Sequence, residues 1–285
     1  MLKDIVDVLA DPVDLSPLRG EDDFSRLVSE TGHSYDVARQ GYVTLVGGGG
    51  LHHEGDSADM VSSREVFLSR GYFAPFVETL TERVADAVDA SHSAEPVVLE
   101  VGAGTGYYLA HTLDSIEGSR GVGIDISTPA AKHLAKAHDR IGAIVADVWE
   151  GLPLRDGSVD AITVIFAPRN PAEFARVLSD DGEAIFLAAD SGHLDELREP
   201  LGILGVEKNK VRRLLDQTAG HLTQVGEPEL VEFPIRLDRS SIAAQVGMSP
   251  SARHLDPAVL ARRVEQLPDH LDVTARAQLL RFRKA

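Results

Sequence analysis

The residues with the clearest chemical potential lie between positions 100 and 147. Glu100-Val-Gly-Ala-Gly-Thr-Gly106 follows a short apolar run, and its three glycines permit a tight turn that lets a ligand approach the backbone closely. A predicted helix begins at Tyr107, and the first N–H groups of a helix have no partner within it. The segment is therefore a candidate ligand-binding turn, although a tight turn that binds nothing could have the same sequence.

Two further carboxylates follow the next two predicted strands. Asp125 ends the run GVGID, at a distance from the glycines where an acidic side chain can accept hydrogen bonds from both hydroxyls of a ribose. Asp147 ends the run AIVAD, where a carboxylate can accept from the exocyclic amine of adenine. Each aspartate could be a surface cap, but acids after three successive strands favour a nucleoside site. The candidate ligands are nicotinamide or flavin nucleotides and S-adenosylmethionine.

Alternating strand and helix patterns position these residues. The predicted strands cover 97–101, 121–125, 143–147, 160–166 and 183–189. Spans long enough for a crossover helix separate the first four, which predicts an α/β fold with a parallel sheet and helices on both faces. Runs at 231–237 and 273–284 could add strands, and we expect the last to be antiparallel at an edge.

Two helices are predicted before the first of these strands. The pattern over 61–90 indicates a helix, a break at 71–75 and then an amphipathic helix. The apolar positions of the second helix are 76, 77, 80, 84 and 88. Tyr72 lies in the break.

The N-terminal segment differs from the rest of the chain. Residues 1–46 are rich in turns, and four glycines at 47–50 form the clearest link in the sequence. We expect a small lobe over 1–50 and a larger domain over 51–285. Asp11, Asp14, Ser29 and His33 are spaced like the ligands of a zinc ribbon, yet the chain has no cysteine.

Composition limits the partners. The net charge of −17 disfavours a polyanion, but residues 193–285 carry 14 basic and 13 acidic side chains, so this third could offer basic surface. Lys208, Lys210, Arg212 and Arg213 form a basic run that could contact phosphates, although a solvated helix face is the favoured interpretation. No apolar run is long enough for a membrane span and the N-terminus lacks the features of a signal peptide, which predicts a cytoplasmic protein.

Three of these segments resemble the motifs of class I S-adenosylmethionine-dependent methyltransferases: EVGAGTG, GIDIS and VADVWEGLP, within about residues 97–190. The resemblance implies a Rossmann-like domain with a mostly parallel seven-stranded sheet that binds S-adenosylmethionine. The spacing also departs from the G-x-G-x-x-G of dinucleotide folds, so a hydride-transfer enzyme is the second choice. The implied cofactor-binding residues are Glu100, Gly102, Ala103, Gly104, Gly106, Tyr107, Asp125, Ile126, Asp147, Val148, Phe166 and Tyr72.

Other segments are similar to the RlmA family of 23S rRNA guanine-N1 methyltransferases, which includes tylosin-resistance enzymes. The matching segments are 55–76, Tyr107-Tyr108, 166–178 and 248–250. The resemblance implies that the enzyme methylates a guanine in a 23S rRNA hairpin, with possible macrolide-type resistance and a homodimer. A methyltransferase acting on a small molecule and a non-catalytic protein that binds S-adenosylmethionine are the alternatives.

The resemblance extends to a zinc ribbon whose ligands are mostly replaced. Where the family has three cysteines and a histidine, this chain has Asp11, Asp14, Ser29 and His33. Serine is a poor ligand for structural zinc, so we expect no metal. The lobe should then depend on the larger domain and on burial of Leu15, Leu18, Tyr35, Tyr42 and Val43. Residues 47–54 also lack the basic residues of relatives, which weakens the inference to rRNA but not to methyl transfer.

The acceptor side has three candidate catalytic residues. Phe166, with Pro168, could border a planar base after the fourth strand, and Arg169 could pair with a phosphate or a carbonyl. His193 matches a histidine found in relatives and could have a polar role near the acceptor, although a solvated helix-cap histidine is equally compatible with its position. Guanine N1 carries a proton that has to leave, so a general base or a hydrogen-bond partner of the ring oxygen is expected nearby.

Overall fold

The computed structural model describes residues 1–203, 205 and 209–285. The strands are β1 Leu18–Glu21, β2 Arg26–Ser29, β3 Ser34–Asp36, β4 Tyr42–Thr44, β5 Val97–Val101, β6 Arg120–Asp125, β7 Ile141–Val145, β8 Val159–Ile165, β9 Leu178–Ala189, β10 Leu222–Asp238 and β11 His270–Lys284. The α-helices are α1 Ala58–Leu68, α2 Ala74–Ser91, α3 Tyr107–Ser115, α4 Thr128–Ala137, α5 Pro171–Val177, α6 Arg198–Leu201, α7 Lys210–Thr218, α8 Arg239–Gly247 and α9 Pro257–Glu265. None of the described helices is long and apolar enough to cross a membrane.

The central sheet has the strand order β10-β11-β9-β8-β5-β6-β7-β4. The strands from β9 to β4 run parallel, while β10 and β11 are antiparallel to their neighbours. The predicted seven strands are all present, and β4 from the N-terminal segment adds an eighth beside β7. The prediction that the last strand lies at an edge is wrong, because β11 pairs with β9 on one side and with β10 on the other.

Both faces of the sheet are covered, and β5, β7 and β8 are accordingly buried at every position. Helices α2, α3 and α4 pack on one face, and α5 and α7 on the other. The predicted break between α1 and α2 is confirmed: Gly71 has a left-handed φ of 72°, and Pro75 lies in the first turn of α2. All five predicted apolar positions of α2 are buried.

The N-terminal segment packs against the sheet. Ile5, Leu9 and Val43 are fully buried in the same core cluster as β5, β6 and β8. Ile5 lies so close to β7 that a Cβ on Gly142 would stand 2.3 Å from its Cδ1 atom. The N-terminal segment therefore packs against the larger domain as expected, while its dependence on that domain for stability and a domain boundary at residue 50 stay predictions.

Burial inside the lobe follows the prediction except at one position. Leu18 and Val43 are buried, and Tyr35 and Tyr42 are half-buried. The predicted burial of Leu15 is wrong, since 48% of its surface is exposed. Leu15 has a φ of 60° in a turn closed by its N–H donating to the Asp11 carbonyl, and this conformation places it outside the core.

Candidate functional site

A cavity of about 870 Å³ lies at the carboxyl ends of the parallel strands. The glycine turn after β5, Asp125 and Asp147 line one side of it. The loop after β8, the segment after β9 and the end of α8 line the rest, together with residues 53–56. Ligands of open α/β sheets bind at this edge, so the cavity is the candidate site.

The glycine turn packs so closely against its neighbours that larger residues are excluded. Gly102 has a φ of 70°, and a Cβ there would stand 2.5 Å from the Cβ atom of Ala167. The N–H groups of Gly102 and Ala103 both donate to the Ile124 carbonyl, at 2.8 and 3.0 Å. Gly106 has a φ of 83° and caps α3. Glycine is therefore required where this turn, through Gly102 and Gly104, lines the cavity.

Asp125 is fixed at the end of β6 by two backbone donors. Its Oδ2 atom accepts from the N–H of Gly104 and its Oδ1 atom from the N–H of Ser127, both at 2.8 Å. Burial raises the pKa of Asp125, and these hydrogen bonds only partly oppose that effect. The carboxylate thus has a set orientation toward the cavity and keeps lone pairs for ligand hydroxyls.

Asp147 is buried just beyond β7 and has a partner that the sequence did not indicate. Nδ1 of His53 lies 2.7 Å from Asp147 Oδ2, and the N–H of Trp149 donates to Oδ1 at 3.0 Å. The segment that carries His53 lines the cavity at residues 53–56. It is anchored by Ser127 Oγ, which donates to the Asp56 carbonyl at 2.6 Å. A ligand amine that approached Oδ2 would compete with His53.

A recess of about 40 Å³ adjoins the glycine turn and shares Arg64, Gly102 and Phe166 with the main cavity. Three buried polar atoms of its lining residues have no hydrogen-bond partner among the residues that the structure describes: Glu100 Oε2, Tyr108 Oη and Arg64 Nε. Burial raises the pKa of Glu100 well above its ordinary value. Orphaned donors and acceptors are costly, so their grouping indicates a place for a polar ligand end.

An aromatic cluster forms the cavity wall after β8 and β9. Phe166 has a left-handed φ of 54°, and its ring centroid lies 5.6 Å from that of His193 and 5.9 Å from that of Phe76. The N–H of Arg276 donates to His193 Nδ1 at 3.0 Å. Burial lowers the pKa of His193 to about 4, so the ring is neutral at physiological pH.

Cationic side chains also line the cavity. Arg169 forms no hydrogen bond or ion pair with any described residue, and burial lowers its pKa. Arg198, Lys210, Arg213 and Arg253 also line the cavity. The basic run predicted near α7 therefore reaches the site through two of its members, while Lys208 lies outside the described residues.

The structure brings most of the predicted residues together. Lining the main cavity are Gly102, Gly104, Asp125, Ile126, Asp147, Val148, Phe166, Arg169 and His193. Glu100, Ala103 and Tyr107 line the recess. Gly106 and Tyr72 line neither space: Gly106 caps α3, while the Tyr72 hydroxyl is 2.9 Å from Ser241 Oγ and the Tyr72 ring packs on Phe67. His53 and Arg64 were not predicted as site residues. His53 lies in the segment 47–54, and Arg64 lies in the matching segment 55–76.

The positions that resemble zinc ligands form a hydrogen-bonded cluster. Asp11 is fully buried, with Oδ1 accepting from the Tyr35 hydroxyl at 2.7 Å and Oδ2 lying 2.8 Å from His33 Nδ1. Ser29 Oγ accepts from the N–H of His33 at 3.0 Å. Potential ligand atoms of Asp11, Asp14 and His33 lie within 4.8 Å of one another. The buried carboxylate is satisfied by these side chains and by the N–H of Val13.

Comparison with known proteins agrees with this geometry. The family profile described as "Methyltransferase domain" matches residues 98–182. The 23S rRNA (guanine(748)-N(1))-methyltransferase of Streptomyces fradiae is 40% identical over 274 residues, which cover 96% of each chain. A protein of Micromonospora griseorubida, provisionally named as a 23S rRNA (guanine-N(1)-)-methyltransferase, is 41% identical over 262 residues, which cover 88% of each chain. A Bacillus subtilis protein with the same provisional name is 31% identical over 180 residues, which cover 61% of this chain and 62% of that one.

Proposed function

Since the chain belongs to the family of S-adenosylmethionine-dependent 23S rRNA guanine-N1 methyltransferases, we propose that it methylates N1 of a guanine in 23S rRNA. The observation that carries the proposal is one cavity lined both by two strand-end aspartates and by Arg169, which has no hydrogen bond or ion pair with any described residue. The aspartates suit a nucleoside, and the arginine suits an anionic acceptor.

The residues present fit S-adenosylmethionine. Asp125 is suited to accept from the ribose hydroxyls, and Asp147 from the adenine amine. The orphaned atoms of Glu100, Tyr108 and Arg64 suit the charged amino-acid end. When bound, this cofactor supplies a methyl group that is activated by a positively charged sulfur. The protein's own task is then to position the acceptor.

The acceptor side is suited to a base taken out of its stack. Phe166 is partly exposed, at 37%, and together with Pro168 offers apolar surface on the cavity wall. Arg169 is available for a phosphate or a base carbonyl. The cavity lies at the strand ends, so the acceptor has to be an exposed loop nucleotide or one that is flipped out.

Methyl transfer to defined RNA tests the proposal. Purified protein, labelled S-adenosylmethionine and unmodified 23S rRNA should give one labelled guanine, with the residue named for the Streptomyces fradiae enzyme examined first. N1-methylguanine blocks Watson–Crick pairing, so reverse transcription should stop beside it, and mass spectrometry of digested RNA identifies the methylated atom. Asp125→Asn serves as the inactive control. Transfer to another atom, or to no RNA, would refute the proposal.

Two further parts of the proposal rest on the family resemblance. Cells that carry the gene should tolerate a higher concentration of a macrolide-type antibiotic than cells with the Asp125→Asn variant, which a comparison of inhibitory concentrations tests. The protein should also form a homodimer, which sedimentation at several concentrations tests. A monomer that methylates RNA would refute only the dimer.

A further inference from the structure

His193 has a fixed position and a fixed tautomer. A backbone N–H can only donate, so the contact from Arg276 makes Nδ1 of His193 an acceptor. The proton of the neutral ring is therefore on Nε2. The His193 backbone N–H donates to the Asp190 carbonyl at 3.1 Å, and the ring contacts Phe73, Phe76 and Phe166. These contacts hold the ring in one orientation.

Nε2 is left as a donor without a partner. No residue in the described part of the chain is hydrogen-bonded to it, and His193 lines the cavity. Burial keeps the ring neutral and Lys210 acts in the same direction, whereas the backbone hydrogen bond from Arg276 and the carboxylates of Glu196 and Asp195 act against them. The ring thus offers the cavity an N–H group and has no free lone pair.

Resting on the proposed function, we infer that Nε2–H of His193 donates a hydrogen bond to O6 of the acceptor guanine and thereby selects guanine. In the reaction the N1–H bond breaks and its proton goes to water. The electron pair left on N1 forms the new bond to the methyl group, and the pair of the broken S–CH₃ bond stays on sulfur. Negative charge that develops on N1 is shared with O6, where the histidine donor stabilises it.

The same geometry makes His193 unsuitable as the general base. The Nδ1 lone pair already accepts the hydrogen bond from the Arg276 N–H. Burial of the ring opposes the positive charge that a second ring proton would bring. A donor at this place also discriminates between purines, because guanine presents the acceptor O6 where adenine presents an amine donor. Two N–H groups would then face each other, so adenine is disfavoured.

Substitution separates a donor from a base. His193→Gln keeps an N–H donor but cannot act as a base, and His193→Phe keeps the ring shape without a donor. We expect the glutamine variant to retain kcat within about tenfold of wild type, and the phenylalanine variant to lose about 10²-fold to 10³-fold. Both should bind S-adenosylhomocysteine like wild type, which checks their folding. His270→Gln, at an exposed position outside the cavity, is the matched control.

A spectroscopic measurement gives a second readout. In ¹⁵N-histidine-labelled protein with S-adenosylhomocysteine, the His193 signals should be those of the Nε2-protonated tautomer. The Nε2–H signal should shift with an RNA hairpin that contains guanine but not with 2-aminopurine at that position, which lacks O6. A Nδ1-protonated ring, equal shifts with both RNAs, or equal inactivity of the two variants would overturn the inference. If wild type is inactive on every guanine, the proposed function fails instead, whatever the tautomer.

Discussion

His53 should weaken cofactor binding, because it occupies the carboxylate proposed to receive the adenine amine. Its Nδ1 atom lies 2.7 Å from Asp147 Oδ2. The Asp147 side chain is only 2% exposed, so that oxygen has little other access to solvent. Binding of the adenine amine has to displace His53. Replacing His53 by alanine removes this competitor and leaves the carboxylate in place through the Trp149 N–H.

The expected gain is about fivefold in affinity. A hydrogen bond to a charged group contributes about 1.5–3 kcal/mol net when it is well shielded. The His53 side chain is 55% exposed, so water competes for it, and we take about 1 kcal/mol as the contribution. Since about 1.4 kcal/mol corresponds to a tenfold change in Kd, removal of the contact should lower Kd about fivefold.

Titration calorimetry with S-adenosylmethionine at constant pH measures this change. His52→Ala is the matched control, since His52 is an exposed histidine in the same segment and does not line the cavity. That variant should bind like wild type. If His53→Ala binds as wild type does, His53 is not a competitor. If it binds more weakly, His53 contributes to the bound state and the proposed role of Asp147 has to be revised.

Three further predictions concern the aspartates and the glycine turn. Burial raises the pKa of Asp125 above the usual value of about 3.9, and ligand hydroxyls donate best to the ionised carboxylate. Cofactor affinity should therefore fall as the pH drops through this raised pKa. An unchanged Kd in acid would contradict this prediction. Gly102→Ala should lose more cofactor affinity than Gly118→Ala, which has a similar φ but open space around it, and calorimetry compares them. Asp11→Ala should lower the free energy of unfolding by about 2–3 kcal/mol, because it removes a fully buried, hydrogen-bonded carboxylate. Asp14→Ala should lower it by less, because Asp14 is exposed. Equal effects of the two substitutions in urea titrations would argue against a stabilising role of the buried cluster.

The sequence by itself indicated the strands of the sheet and the carboxylates at their ends. The run VVLEV is apolar at four of its five positions, which is typical of strands buried on both faces, and the structure places it at 97–101 as predicted, with all five residues buried. The three glycines of the turn all adopt positive φ, a local requirement that residue type reveals directly. Asp125 and Asp147 could be predicted because their position depends only on where the strands end.

Tertiary structure alone decided which side chains meet at the site. His53 and Asp147 are 94 positions apart, and no local pattern encodes their contact. Tyr72 turns to Ser241 and away from the cavity, and Leu15 is exposed because its turn has a left-handed conformation. Local propensity and periodicity depend on neighbours in the chain, whereas contacts between distant segments depend on how whole elements pack. The tautomer of His193 is of this second kind, since a backbone N–H of β11 fixes it.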